Sequence, residues 1–270
     1  MNVILIDAGE LDDLGRASID GGRAAHIVSV LKAAAGDTIR IGLVDGPFGL
    51  GTIVAVENHA VRLHCTFESA VPPRPAVDLL LALPRPKVLR RLWAQLAALG
   101  VGRIMLTNAE RVERNYFDTH VVTAECYRPL LIEGLQQARD TRLPLVSVHR
   151  QFRVLVEDHV AELSDASVHL VADPRASASI AAVLRQQAAT RVLLAIGPEG
   201  GWNAFELSLL ETHGFRSITM GSRTLRSDTA CIALLSLVHS AMNSQGPPRN
   251  SQGPPRKSQG PPPKSERPPN

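Results

Sequence analysis

The sequence has no long apolar run. None approaches the roughly 18 residues of a membrane-spanning helix, although 44% of its 270 residues are hydrophobic, enough to build the cores of two modest domains. The opening stretch MNVILIDAGELDD has no basic segment and turns acidic at once, which argues against a secretory leader. Cysteine is scarce. Cys65, Cys126 and Cys231 are far apart and odd in number, so no disulfide framework and no metal-ligand spacing is present, and no metal is expected. Such thiols fit the reducing cytoplasm. Two phosphate-binding patterns are also missing: there is no GxxxxGK[ST], and no GxGxxG follows an early strand. A classical nucleotide-binding enzyme is thereby disfavoured.

The basic character is local. The net charge is +3. The tail from Ser244 to Asn270 holds Arg249, Arg256, Lys257, Lys264 and Arg267 against Glu266, a net +4, so the body carries −1. The tail repeats SQGPPRN, SQGPPRK, SQGPPPK with period seven and offers no apolar side chain to offset the entropy of ordering. It is expected to be disordered, either as an incidental extension or as a weak electrostatic tether to RNA. The body's own cations can still cluster on one face.

Residues 1–72 read as β-rich. DTIRIGLV, GLGTIVAVE and AVRLHCTF are short β-branched runs broken by Gly, Asp and Asn, as in a meander or small barrel. A short helix is expected in GRAAHIVSVLKAAAG, with Ala25, Val28, Leu31 and Lys32 on one face and Gly36 at its end. The prolines of VPPRP, Val71 to Pro75, mark a boundary. From residue 73 to 243 the rhythm becomes alternating. VDLLLAL, RIMLTN, LVSVH, SVHLVAD, RVLLAIG and RSITMG read as strands. Leu89, Leu92, Leu96 and Leu99 recur near the helical period, and Pro129 should kink or break the helix that follows. Continuously apolar strands between helices predict a parallel sheet covered on both faces, an α/β fold.

Ligands of open parallel sheets bind beyond the carboxyl ends of strands. Two glycine loops are expected there. The first, Gly197-Pro198-Glu199-Gly200-Gly201, follows RVLLAI; it lacks the lysine that reaches phosphate oxygens, and Glu199 would repel a polyphosphate. Its ligand should be neutral or cationic nearby, although glycine also serves plain turns. Asn203 and Glu206 form a capping-box pattern after it, and Gly214 ends that helix. The second loop, 221–228, carries Arg223, Arg226 and Asp228, and Ser227 or Asp228 can cap the apolar helix behind it.

These two passages, LLAIGPEGGWNAFEL and GFRSITMGSRTLRSDTACIALL, resemble the C-terminal signature of the bacterial 16S ribosomal RNA uridine-N3 methyltransferases of the SPOUT class. Thr224 stands for the usual Ile and Asp228 for the usual Glu. Upstream, Lys87, Leu99-Gly100-Val101 and Glu110-Arg111 fall in place, as do Gln137, Thr141, Arg142 and Pro144. Ala98, Gln136 and Arg139-Asp140 depart from the pattern. His26, Leu31 and Gly36-Asp37 fit the family's first domain. The resemblance spans about residues 1–243 and leaves the tail outside.

The resemblance implies an N-terminal PUA-like β-barrel that helps bind RNA, a C-terminal α/β domain with a trefoil knot, and a homodimer. It implies S-adenosylmethionine as cofactor. The implied cofactor contacts are Ala172, Ile196, Gly197, Pro198, Glu199, Gly200 and Gly201 from the first side, and Met220, Gly221, Ser222, Leu225 and Thr229 from the second. A sulfonium, an adenine and a ribose carry no phosphate, which suits a loop with a carboxylate and no lysine. The partner would be 16S ribosomal RNA or the small subunit, with no DNA and no membrane.

Uridine N3 becomes nucleophilic only after losing its proton, and its use in pairing requires a flipped or single-stranded base. Arg226 is the candidate for the uracil carbonyls or a flanking phosphate; Glu199 and Asp228 are candidate bases. Candidate RNA contacts are Arg23, His26, Lys87, Arg111, Arg142 and Arg223, with Arg85, Arg90, Arg91 and Arg114 as further cations. Pairing of Arg226 with Asp228, capping by Asp228, a solvated face for Arg90 and Arg91, and core packing for His26, Trp93 and Trp202 are the plainer alternatives. Two other functions stay open: a SPOUT enzyme with another RNA target such as a ribose 2′-oxygen, and a non-catalytic RNA-binding or assembly protein that kept the fold.

Overall fold

The computed structural model describes residues 3–57, 60–187, 189–221, 223 and 225–244. The repeat tail from residue 245 and Ser222 lie outside the described residues.

The first sheet has five strands: β1 (Ile4–Ile6), β2 (Arg16–Ile19), β3 (Thr38–Leu43), β4 (Phe48–Glu57) and β5 (Ala60–Phe67), ordered β1-β3-β4-β5-β2. β1 lies parallel to β3, and the other pairings are antiparallel. The three longer runs legible in the sequence are β3 to β5. The alternating burial of β5, with Val61, Leu63 and Cys65 inside and their neighbours out, is the period-two pattern of a half-buried strand. A bulge between Ile53 and Ala55 bends β4.

The helix of this region differs from the sequence expectation. α1 (Gly21–Ala25) passes into a π turn over His26–Val30, and Lys32 adopts φ +53°, so the helix stops well short of Gly36. Leu31 N–H donates to His26 O, the five-residue spacing of a π turn. That wider turn rotates the buried stripe onto Ala24 and Ile27, while Val28 is exposed.

The second sheet has six parallel strands: β6 (Val77–Ala82), β7 (Arg103–Thr107), β8 (Leu145–His149), β9 (Val168–Ala172), β10 (Val192–Ile196) and β11 (Phe215–Ile218), ordered β11-β9-β10-β6-β7-β8. All six runs were expected as strands. β6 and β10 are buried along their whole length, as a sheet covered on both faces requires. The helices are α2 (Pro86–Ala98), α3 (Ala124–Ala138), the short α4 (Phe152–Val154) and α5 (Val160–Leu163), α6 (Ile180–Gln186), α7 (Ala204–Thr212) and α8 (Ser227–Asn243). Pro129 does not break α3, which runs through it. Close packing on α2 offsets the one lost hydrogen bond: a Cβ at Gly134 would sit 2.1 Å from Ala94 O.

The two sheets are stapled together. β1 alternates between them, with Ile4 and Ile6 in the first core and Val3 and Leu5 in the second. Asp7 pairs with Arg128 on α3, and the guanidinium holds that carboxyl below the usual range. Buried Thr141 donates its hydroxyl to Gly46 O at 2.6 Å, and Arg142 Nη1 donates to Asp45 O at 2.8 Å.

Candidate active site

Strands β9, β10 and β11 are neighbours and parallel, so their carboxyl ends open on the same side. The two glycine loops meet there around one cleft. Ala172, Ile196, Pro198, Met220 and Leu225 give it apolar walls. Gly197, Gly201 and Gly221 bring backbone to its surface, and Glu199 and Arg223 bring charge. The sequence reading missed Asp173, Ile218 and Leu234, which also line it. The signal for Asp173 was its place directly after β9, which pairs with β10.

The first loop is held from several directions. Arg111 donates through Nη1 to the carbonyl of Gly200 and, at 3.5 Å, to that of Gly201. A Cβ at Gly200 would lie 2.6 Å from Arg111 Cδ, so Gly200 faces this brace and does not line the cleft. A Cβ at Gly197 would lie 3.2 Å from the buried ring of Trp202. Gly201 has φ +71°, a conformation glycine adopts without strain. The capping box forms as expected: Asn203 Oδ1 accepts Glu206 N–H at 2.8 Å, and Glu206 Oε2 accepts Asn203 N–H at 2.8 Å. Its second carboxylate oxygen accepts Glu110 N–H at 2.7 Å and ties in the loop after β7.

The second loop is tied, among its described residues, mainly at its two ends. Arg226 is the N-cap of α8, so neither Ser227 nor Asp228 caps it; both are already helical. Asp228 still belongs at that end, because a carboxylate in the first turn meets the positive pole of the helix. Its Oδ1 accepts Thr229 N–H at 2.9 Å, and its Oδ2 pairs with Arg91 of α2 at 2.9 Å. Arg226 Nε stands 3.8 Å from Asp228 Oδ1 with its side chain 73% exposed. Thr229 is exposed on the first turn and does not line the cleft. Ser227 Oγ donates to Glu199 Oε1 at 3.4 Å and links the two loops. Behind them Cys231 is wholly buried, and burial pushes its thiol up to about 12, so it is no nucleophile.

The candidate RNA contacts divide. Lys87 and Arg223 are exposed. Arg23 is paired with Glu10 and bonded to Leu5 O at 3.0 Å, Arg111 braces the first loop, and Arg142 serves the junction of the sheets. Phosphate binding by these three would require breaking those bonds. His26 Nε2 is buried and without a partner among the described residues. Trp93 donates to Val121 O at 3.0 Å inside the core, and Trp202 packs on Phe152 at 5.2 Å, so both indoles are packing residues.

A family model described as RNA methyltransferase domain matches residues 72–239. The chain is 33% identical, over 88% of its length and 90% of the relative's, to Ribosomal RNA small subunit methyltransferase E of Treponema pallidum (strain Nichols). Its fold is similar to the crystal structure of Ribosomal RNA small subunit methyltransferase E from Neisseria gonorrhoeae bound to S-adenosyl methionine. There the TM-score is 0.69 at 17% identity, covering 88% of this chain and 97% of that one. It is also similar to a probable rRNA-methyltransferase from Porphyromonas gingivalis, with a TM-score of 0.71 at 21% identity, covering 90% and 99%.

Proposed function

The chain belongs to the small-subunit ribosomal RNA methyltransferase E family, and from that premise we propose that it methylates N3 of a uridine in 16S ribosomal RNA with S-adenosylmethionine as donor. The observation that carries this reading is the single cleft in which both glycine loops meet. Its residues fit the donor. Apolar walls suit an adenine, backbone exposed at Gly197, Gly201 and Gly221 suits ribose and base edges, and Asp173 and Glu199 suit hydroxyls and a nearby cation. When bound, the donor supplies an electrophilic methyl group on a sulfonium.

The chain's own groups do the rest. Glu199 lines the cleft and is the base for the N3 proton, whereas both oxygens of Asp228 are engaged by Arg91 and Thr229. Arg226, exposed beside the cleft, steadies charge on a uracil carbonyl as N3 loses its proton. Lys87 and Arg223 receive phosphates, and the first sheet, residues 4–67, adds RNA contacts as a PUA-like domain. The trefoil knot belongs to the same proposal, as do domain limits at residues 1–72 and 73–243 and a homodimer. Exposed Ile232 and Leu237 on α8, opposite its buried Cys231, Leu234 and Val238, support the dimer. No helix of the described residues is long and apolar enough to cross a membrane; a cytoplasmic site of action follows from the proposed substrate.

The test is methyl transfer. The full chain is incubated with S-adenosylmethionine and small subunits lacking base methylation, and the digested RNA is read by mass spectrometry. 3-Methyluridine, lost in Glu199→Gln, is the expected product. A different methylated nucleoside would overturn the substrate assignment, and cofactor binding without product would overturn the enzymatic reading.

A further inference from the structure

A second pocket, of about 290 Å³, opens on the far side of the 197–206 segment, where β7 gives way to its loop. That is close to the lower limit of roughly 300 Å³ for small-ligand sites. Gly201 lines the first cleft and Asn203 lines this pocket. Their Cα atoms are two residues apart, so the two sites lie within about 7.6 Å of one another along the chain. Trp202 lies between them in the chain: its ring packs near Gly197 of the cleft and against Phe152, which lines this pocket.

Three features give the pocket a chemical character. Asn108 Oδ1 is buried and accepts no hydrogen bond among the described residues; a buried acceptor left unpaired is costly unless a ligand satisfies it. Phe205, in the first turn of α7, is 58% exposed and lines it. Arg114 stands at the wall near one exposed carboxylate, Glu110, while Arg153, also at the wall, is held by Glu157 at 2.9 Å. An exposed aromatic ring, a buried amide acceptor and flanking cations are the groups with which proteins hold an unstacked base and its phosphates.

We propose that this pocket is a second base site, which takes a nucleotide neighbouring the target in the same RNA strand. Phe205 stacks on the base, Asn108 Oδ1 accepts a hydrogen bond from an N–H on the base edge, and Arg114 meets a phosphate. Every base offers such an N–H, uracil through N3, so the site holds a base without selecting one. The target base and its neighbour are held by residues that flank Trp202 in the chain, which fixes the register of the strand. This inference rests on RNA being the substrate, and its test separates the two.

The experiment measures binding of fluorescent oligo(A), oligo(C) and oligo(U) to the full chain in the presence of S-adenosylmethionine. The comparison is with Phe205→Ala, Phe205→Tyr and Asn108→Ala, alongside calorimetric cofactor affinity and the KM and kcat for unmethylated small subunits. Wild type is expected to bind all three oligonucleotides. Phe205→Ala should weaken RNA binding and raise KM about tenfold, with kcat and cofactor affinity unchanged, and Phe205→Tyr should restore both. Asn108→Ala should weaken binding of all three by a smaller factor. No binding of any oligonucleotide by wild type, or an unchanged KM in Phe205→Ala, would overturn the proposal. If RNA binding depends on Phe205 but no methyl group is transferred, the base site stands and the methyltransferase reading fails.

Discussion

The two glycine loops of the cleft are built in opposite ways. Gly197–Gly201 is tied down by Arg111 on its carbonyls, the Trp202 ring under Gly197, and a capping box whose Glu206 also binds the neighbouring loop. Among its described residues, the 219–226 loop is tied at its start, by Thr219 N–H to Ala178 O at 2.9 Å and by a bond pair between Thr219 and Gly221 at 3.1 Å, and leaves Arg223 and Arg226 exposed. A shape fixed before binding suits a cofactor, because its ordering cost is already met by the fold. Exposed arginines suit a large charged substrate that gathers them when it arrives. The first loop should therefore govern cofactor affinity, and the second loop should govern turnover.

The largest effect expected from this contrast is that of Arg226→Ala. Removing one donor aimed at developing charge lowers kcat by about 10²–10³-fold. Cofactor affinity should hold within about twofold, since Arg226 braces nothing in the first loop. Single-turnover methylation of small subunits together with calorimetry of cofactor binding checks both halves. A loss of cofactor affinity equal to the loss of turnover would erase the distinction between the loops.

Next in size is Glu206→Ala. This carboxylate is buried and accepts two backbone N–H groups, of Asn203 and Glu110. Leaving both donors unpaired should cost about 2–3 kcal/mol, read as a shift of the urea midpoint, and weaken cofactor binding with it. If cofactor affinity survives that loss of stability, the first loop keeps its shape without the cap and the two loops differ less.

How much of this was legible in the sequence follows the range of each interaction. The strands of the second sheet were readable because each is a continuous apolar run. The capping box was readable because Asn203 and Glu206 are three residues apart. The helix near residue 25 was misread because its alanine-rich stretch offers several apolar stripes, and the choice of Ala24 and Ile27 is made by a π turn and by the strands they cover. β1 and β2 are only three and four residues long, too short for a periodic signal. The braces were hidden for a different reason. Arg111 reaches Gly200 across 89 positions and Arg91 reaches Asp228 across 137, so only the folded chain reveals that these arginines are structural partners of the loops. The resemblance could place Arg111 in a motif but not on its acceptor.

The stability of the fold behind the cleft can be probed through pH. His239 lies on α8, the helix that follows the second loop; burial lowers its pKa below the ordinary histidine value, and its Nε2 has no partner among the described residues. His169 on β9 is lowered for the same first reason. A lowered histidine is neutral in the folded chain but charged in the unfolded chain at acid pH, so the unfolded state binds more protons. Stability is therefore full above about pH 6.5 and declines as pH falls through that value. Thermal melts between pH 5 and 8 should show this decline, and His239→Leu should flatten part of it. An unchanged slope would mean that His239 does not contribute to it.

The smallest effect separates two accounts of one arginine. Arg91 could be a free phosphate contact on α2 or a clasp for Asp228. As a clasp it is an ion pair with the arginine largely in solvent, worth about 0–1 kcal/mol, so Arg91→Ala should hardly change stability. Its consequence lies one step away. Freed from Arg91, Asp228 is left with Arg226, now 3.8 Å off, and draws that guanidinium away from substrate. Methylation should then fall only about two- to fivefold, while the salt dependence of RNA binding keeps its slope. A phosphate contact would behave in the reverse way, lowering the slope by about one. α2 thus holds Asp228 so that Arg226, 3.8 Å from that carboxylate, stays exposed to substrate.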